Sequence, residues 1–234
     1  MMKKFIYTAV AILFMIAGQQ ASAQKTTAQS RPVSSFDKVA SAGPFQVQVV
    51  LDGTESVRVT GNEDVLQYIE TVVEKETLQI RLKKDIKWDR NIGKVEVYVT
   101  AKSLNTLINS GSGSIKVDGT INTEHFKTVM SGSGSISTDI KTKDLHAVLS
   151  GSGFIKLSGS AQDASMVVTG SGQVLGKSLG TEKTSTVITG SGQVYVAADK
   201  HVSARITGSG QVIYTGNAEV ESRSIGSGKV TKAN

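Results

Sequence analysis

The tripeptide Gly-Ser-Gly occurs seven times in the second half of the chain, with its first glycine at Gly111, Gly132, Gly151, Gly170, Gly190, Gly208 and Gly226. The spacings are 21, 19, 19, 20, 18 and 18 residues, and the 14 glycines involved are more than half of the 24 in the 234-residue sequence. Aligned on the first glycine, the residue four positions later is Ile115, Ile136, Ile155, Val174, Val194, Val212 and Val230, β-branched in every copy. Two positions before the glycine stand Asn109, Met130, Leu149, Val168, Ile188, Ile206 and Ser224, apolar in the middle five copies and polar in the first and last. A unit of about 20 residues holding two short strand patterns cannot bury its apolar face alone, so the copies must stack.

The pattern therefore predicts an all-β fold, a parallel β-helix (solenoid) of about seven coils over residues 101–234. One copy makes one coil, the coils lie about 4.8 Å apart over about 34 Å, and the β-branched residues form one interior ladder. Glycine at the corner admits positive φ and close backbone approach. Polar residues at the two ends suit terminal coils, whose open edges invite aggregation. Shortening from 21 to 18 residues has to be absorbed at the corners. The competing architecture is an antiparallel β-barrel with a hairpin per repeat, closed by Gly-Ser-Gly. One side-chain type at every twentieth position favours stacking.

Ahead of the repeats, residues 36–100 read as a strand-rich region with period-two alternation at 45–49, 56–60, 77–82 and 95–99. Asn62 to Tyr68 reads as a short helical turn capped by Asn62, with Val65, Leu66 and Ile69 inward. Residues 24–35 are polar, contain Pro32, and read as a flexible leader. Residues 1–23 have the order of a signal peptide: Lys3 and Lys4, the apolar run Phe5 to Ala17, then Ala21-Ser22-Ala23. That apolar run is short of the roughly 20 residues a membrane-spanning helix needs. Export through a cleaved signal is expected, to the periplasm, the outer cell surface or the medium, with no transmembrane segment in the mature chain.

Composition removes several classes of function. With no cysteine the chain has no disulfide, thiolate metal site or cysteine nucleophile. The formal charge of +6 is spread along the sequence rather than gathered into a block, which disfavours nucleic acid. Gly-Ser-Gly is not a phosphate loop, since nothing helical follows it.

The segments Gly43-Pro44-Phe45-Gln46-Val47, Tyr68-Ile69-Glu70, Leu78-Gln79-Ile80-Arg81-Leu82, Val97-Tyr98-Val99, and the repeated Ser-Gly-Ser-Gly-Ser-Ile at Ser110 to Ile115 and Ser131 to Ile136 together resemble one bacterial family. It is the autotransporter adhesin head domain family of GIN type, common in Bacteroidetes, and the resemblance covers roughly 36–230. It implies a right-handed parallel β-helix with the N-terminal strands joined to it, and a surface or adhesive role; it carries no catalytic motif. In this chain Phe154 replaces the Ser after the third motif, and Gln173, Gln193 and Gln211 replace it in the next three.

Candidate sites follow from the register. The column three positions after each first glycine, Ser114, Ser135, Phe154, Gln173, Gln193, Gln211 and Lys229, points outward if the β-branched ladder points inward. Its glutamines can bond to one another along the solenoid. Phe154, Gln173, Gln193 and Gln211 are the candidate contacts for a glycan or protein at the cell surface, with Tyr195 and Tyr214 near them but not on one shared face. Asp118 and Asp139 each lie seven positions after a first glycine, so adjacent coils bring them together; two carboxylates fall short of the six or more oxygens of a calcium site, and no metal or cofactor is expected. His125 and His201 are several coils apart and His146 has another register position, so the histidines assemble no evident site. His146, Ser150 and Asp144 are only neighbours along one strand. Arg81, Lys83, Lys84, Lys87 and Arg90 around Trp88 form the densest basic stretch, interrupted by Asp85 and Asp89 as in a salt-bridged loop. The expected protein is a non-enzymatic adhesin-like binding or envelope scaffold module. The alternatives are a carbohydrate-active β-helix enzyme, lyase or hydrolase, and a periplasmic structural protein with no ligand. Three or more of Asp118, Asp139, Asp144, Glu124 and His146 meeting in one groove would overturn this ranking and put the enzyme first.

Overall fold

The computed structural model describes residues 26–83 and 92–233. Their strands form one 16-stranded sheet wound into a parallel β-solenoid, not a barrel. In chain order the elements are β1 (Thr26–Arg31), β2 (Lys38–Ala42), β3 (Gln46–Leu51), β4 (Ser56–Asn62), α1 (Glu63–Leu66), β5 (Ile69–Glu74), β6 (Thr77–Leu82), β7 (Glu96–Ala101), β8 (Thr106–Gly111), β9 (Ser114–Gly132), β10 (Ser135–Gly151), β11 (Phe154–Gly170), β12 (Gln173–Gly190), β13 (Gln193–Gly208), β14 (Gln211–Thr215), β15 (Glu219–Ile225) and β16 (Lys229–Lys232).

From β9 to β13 each long strand pairs in parallel with the next, and the expected ladder is realised. It is longer than the repeats. Val97, Val47, Ile115, Ile136, Ile155, Val174, Val194, Val212 and Val230 are successive register partners. All but the last are buried. β2, β3, β6 and β7 thus form further coils of the same solenoid. Gly43, at φ +147°, donates its N–H to Ser110 O (3.0 Å), and Gly113 donates to Gly43 O (3.1 Å). Gly43-Pro44-Phe45 is therefore an eighth corner in which a buried Phe replaces the second glycine. Before it, β6 pairs in parallel with β2 and β7 with β3. Most of the basic cluster, Lys84, Lys87, Trp88 and Arg90, lies outside the described residues, as does the expected signal peptide at 1–23.

This extension corrects the reading of Asn109 as a terminal polar position. The coil of β2 and β3 covers it, and it is fully buried with Nδ2 donating to Gly113 O (2.7 Å) and Ser135 O (3.2 Å). Ser224, at the other end, is exposed and donates to Gly228 O (3.0 Å). The segment 24–35 also departs from expectation, because it contributes β1 instead of a flexible leader. β1 pairs antiparallel with β4, and Arg31 donates to Leu66 O (2.8 Å) and Ile69 O, tying the strand to the end of α1 and the start of β5. β4 is in turn antiparallel to β7, and β5 to β6. The expected helical turn is α1, which buries Val65 and Leu66, although Asn62 makes no side-chain cap. Differences in coil length are taken up as register shifts, between Ser137 and Asp139, Lys156 and Ser158, and Gly176 and Gly180, away from the glycine corners. Among the described residues no helix is long and apolar enough to cross a membrane.

Candidate functional site

The strand leading into each corner carries an outward column seven positions before the first glycine. Parallel pairing stacks His125, Asp144, Asp163, Lys183, His201 and Glu219 in that order, a titratable side chain at every level. The column borders a groove of about 900 Å³ that runs along the solenoid axis. Beneath it lie the buried side chains of Phe126, Leu145, Ala164 and Thr184, themselves successive register partners. The next outward column adds Lys127, His146, Ser165, Ser185 and Ser203 to the lining. All three histidines of the sequence line this one groove, with His146 in the neighbouring column. His125 and His201 stand four levels apart, and Asp144, Asp163 and Lys183 stack between them.

Within the groove His125 Nδ1 lies 2.7 Å from Asp144 Oδ2, with both side chains largely exposed. At its rim Lys143 Nζ donates to Glu124 Oε1 at 2.6 Å, which holds the Glu124 carboxyl below the usual carboxylate range and the Lys143 ammonium above its own. Lys200 donates to Glu182 Oε2 at 2.7 Å; that bond first, and the field of Asp163 to a lesser degree, raises its pKa. The surface is thus a series of acids and bases at about 4.8 Å steps, suited to hydrogen bonding an extended polar chain.

Glu124, Asp144 and His146, three of the five residues whose meeting would put an enzyme first, line the groove, but Glu124 is bonded to Lys143 and Asp144 to His125, and neither carboxylate is bonded to His146. Ser165, and not Ser150, is the serine that pairing sets beside His146. Among the described residues no hydrogen bond joins Ser165, His146 and Asp144, and the bonded partner of Asp144 is His125. A nucleophile with an oriented base is not assembled.

The other sequence candidates lie on a different outer face. Phe154, Gln173, Gln193 and Gln211 are successive register partners, as the alignment requires. Phe154 is 43% exposed, and Gln173 Nε2 donates to Gln193 Oε1 at 3.3 Å. Tyr195 shares this face: its hydroxyl donates to Gln193 Oε1 at 3.2 Å and Lys177 Nζ sits 4.7 Å from its ring centroid. Tyr214 packs against the core instead. Asp118 and Asp139 are not brought together. The register shift after Ser137 sets Asp139 opposite Thr120, while Asp118 accepts from Lys116 (2.7 Å) and Gln48 (2.7 Å), which lower its pKa. Among the described residues no group of three His, Asp or Glu side chains is placed to hold a metal ion.

Residues 35–218 match the family model described as "Putative auto-transporter adhesin, head GIN domain". The chain belongs to this family. Its solenoid is similar to the crystal structure of a putative adhesin from Bacteroides fragilis, with a TM-score of 0.81 at 20% identity over 90% of this chain and 98% of that one. A putative adhesin from Parabacteroides merdae superposes with a TM-score of 0.73 at 20% identity, covering 90% and 97%. A structure from Parabacteroides distasonis described as a putative lipid binding protein gives 0.73 at 25% identity, covering 89% and 97%. No curated protein matches the chain.

Proposed function

We propose that this GIN-domain protein is an exported, non-enzymatic, adhesin-like binding module that takes an extended glycan along the axial groove. The observation that supports this reading is the column from His125 to Glu219, which repeats polar recognition groups at every coil along a groove of about 900 Å³. A linear ligand lying parallel to the axis meets the same geometry at each step, as a single small molecule would not. Phe154, Gln173, Gln193 and Gln211 form a second contact strip, an aromatic face followed by amides. No metal or organic cofactor enters this reading.

The test is a glycan array probed with residues 24–234 and with the double variant Asp144→Ala, His201→Ala. Binding that the double variant abolishes supports the groove; binding that only Phe154→Ala with Gln193→Ala abolishes moves the site to the second strip. The presence of Glu124, Asp144 and His146 along one groove favours a second reading, a carbohydrate-active hydrolase or lyase. Turnover of an arrayed glycan that His146→Ala stops would establish it in place of the binder. The same samples on lipid vesicles test the property given to the Parabacteroides distasonis neighbour. Silence on glycans, vesicles and turnover leaves an envelope scaffold.

A further inference from the structure

We propose that the outer strip from Phe154 to Lys229 takes an acidic polysaccharide, a linear glycan bearing carboxylate groups; this rests on the reading of the molecule as a glycan-binding module and gives its second contact strip a ligand class. The strip consists of the positions three, five and seven after the first glycine in the coils from β11 to β16, which alternate with the buried ladder and point outward. None of these positions holds Asp or Glu, while Lys156, Lys177 and Lys229 stand among them, all three exposed. Among the described residues none of the three makes an ion pair. The two preceding coils differ. There the same positions hold Lys116, Asp118 and Asp139, and Lys116 is paired with Asp118 at 2.7 Å. The strip beyond them therefore carries positive charge with nothing on its own face to neutralise it.

Hydrogen bonding inside the strip adds to this. Gln193 Oε1 accepts from Gln173 Nε2 (3.3 Å) and from the Tyr195 hydroxyl (3.2 Å), so the acceptor of the central amide is used twice. Its Nε2 has no partner among the described residues and is left to donate outward. Tyr195 also places a charge: Lys177 Nζ lies 4.7 Å from its ring centroid, which holds an ammonium over the sheet beside Gln193. At one end of the strip the ring of Phe154 is 43% exposed, and at the other stands Lys229. Phe154, Gln173, Gln193, Gln211 and Lys229 occupy successive levels, a length of about 19 Å at strand spacing. A ligand that fills this strip must be extended, negatively charged and rich in acceptors. A polyuronate chain meets all three conditions, with hydroxyls for the amides, carboxylates for the lysines and the C–H face of a sugar ring for Phe154. A bilayer does not, because the amides run through the middle of the strip and acyl chains would leave them unpaired.

Binding of polygalacturonate, with its fully methyl-esterified form as the uncharged counterpart of the same backbone, tests the strip on residues 24–234. The wild type is expected to bind the charged polymer at least about tenfold more tightly than the ester, and to lose that advantage toward about 1 M salt, where the screening length falls to about 3 Å. Lys156→Glu with Lys177→Glu is expected to weaken binding by at least about tenfold, because each change turns an attraction into a repulsion. Arg205→Glu with Arg223→Glu, equal in charge change but on the strand leading into the corner, is expected to leave it unchanged, with circular dichroism confirming the fold of each variant. No binding of the charged polymer, equal binding of polymer and ester, or indifference to the lysine changes overturns the proposal. Binding to phosphatidylglycerol vesicles in place of the polymer overturns it too. Asp144→Ala with His201→Ala is expected to leave polygalacturonate binding intact, and a loss there puts the polymer in the groove instead of on the strip. A glycan that only the groove variant loses, together with no binding of polygalacturonate, overturns this inference and keeps the groove.

Discussion

A Cβ built on Gly153 would stand 2.3 Å from the carbonyl oxygen of Gly134, the equivalent glycine one coil earlier. No real side chain tolerates that distance, and the obstacle is backbone that cannot give way. Gly151 meets the carbonyl of Gly132 at 2.4 Å and also sits at φ +116°, so it is constrained twice over. Ser152 between them is exposed. Gly153→Val or Gly151→Val is therefore expected to cost more than about 3 kcal/mol or to prevent folding, and Ser152→Val less than about 1 kcal/mol, read as shifts in urea unfolding. Comparable losses at Gly153 and Ser152 would remove the steric account of the motif. The glycines were legible as corners because the alignment repeats them. The corner at Gly43 was not, since Phe45 fills the place of its second glycine and only pairing with β8 and β9 reveals the equivalence.

Along a coil, the same alternation that made the ladder readable sets what each substitution removes. Ile155 is fully buried between Ile136 and Val174, whereas Gln193 is outward and half-buried. Ile155→Ala is expected to cost about 2 to 5 kcal/mol and Gln193→Ala under about 1 kcal/mol in the same unfolding assay. Equal, small losses at both would refute the register. At the start of β4 a different contact holds the chain. Glu55 accepts from Lys102 Nζ (2.9 Å) and from the backbone N–H of Phe36 (3.2 Å), and the Lys102 bond first, then the backbone bonds, pull its pKa below the usual value. A depressed carboxyl contributes stability that is present above its unfolded pKa, near 4, and lost as pH falls through its lower folded value. Glu55→Gln is thus expected to lower the melting temperature at neutral pH and to reduce the acid loss below about pH 4. A melting curve whose acid dependence is the same with and without Glu55 would show that the carboxylate contributes nothing. This contact, like β1 and the antiparallel strands beside it, joins residues distant in sequence with no repeat to announce them.

For the molecule as a whole, the tripeptide begins at Gly111, whereas the parallel pairing that builds the solenoid begins upstream of it, in β2, β3, β6 and β7. The titratable column shows the same limit in the site: its six positions stand one per coil in the sequence, and only parallel pairing makes them one surface. The ladder from Val97 through Val47 to Ile115 runs without a break, and β3 and β8 are the partners that cover the first long strand, β9. Removing residues 36–100 would expose Ile115, Val117 and the buried amide of Asn109, together with an open row of strand donors and acceptors. Residues 24–234 are therefore expected to melt in one calorimetric transition, with equal calorimetric and van't Hoff enthalpies. A chain of residues 101–234 alone is expected to be unfolded or aggregated. Two transitions in the longer chain, or a soluble and folded repeat segment with the circular dichroism of a parallel sheet, would mean that the glycine-cornered coils carry their own stability and that the N-terminal strands are only appended to them.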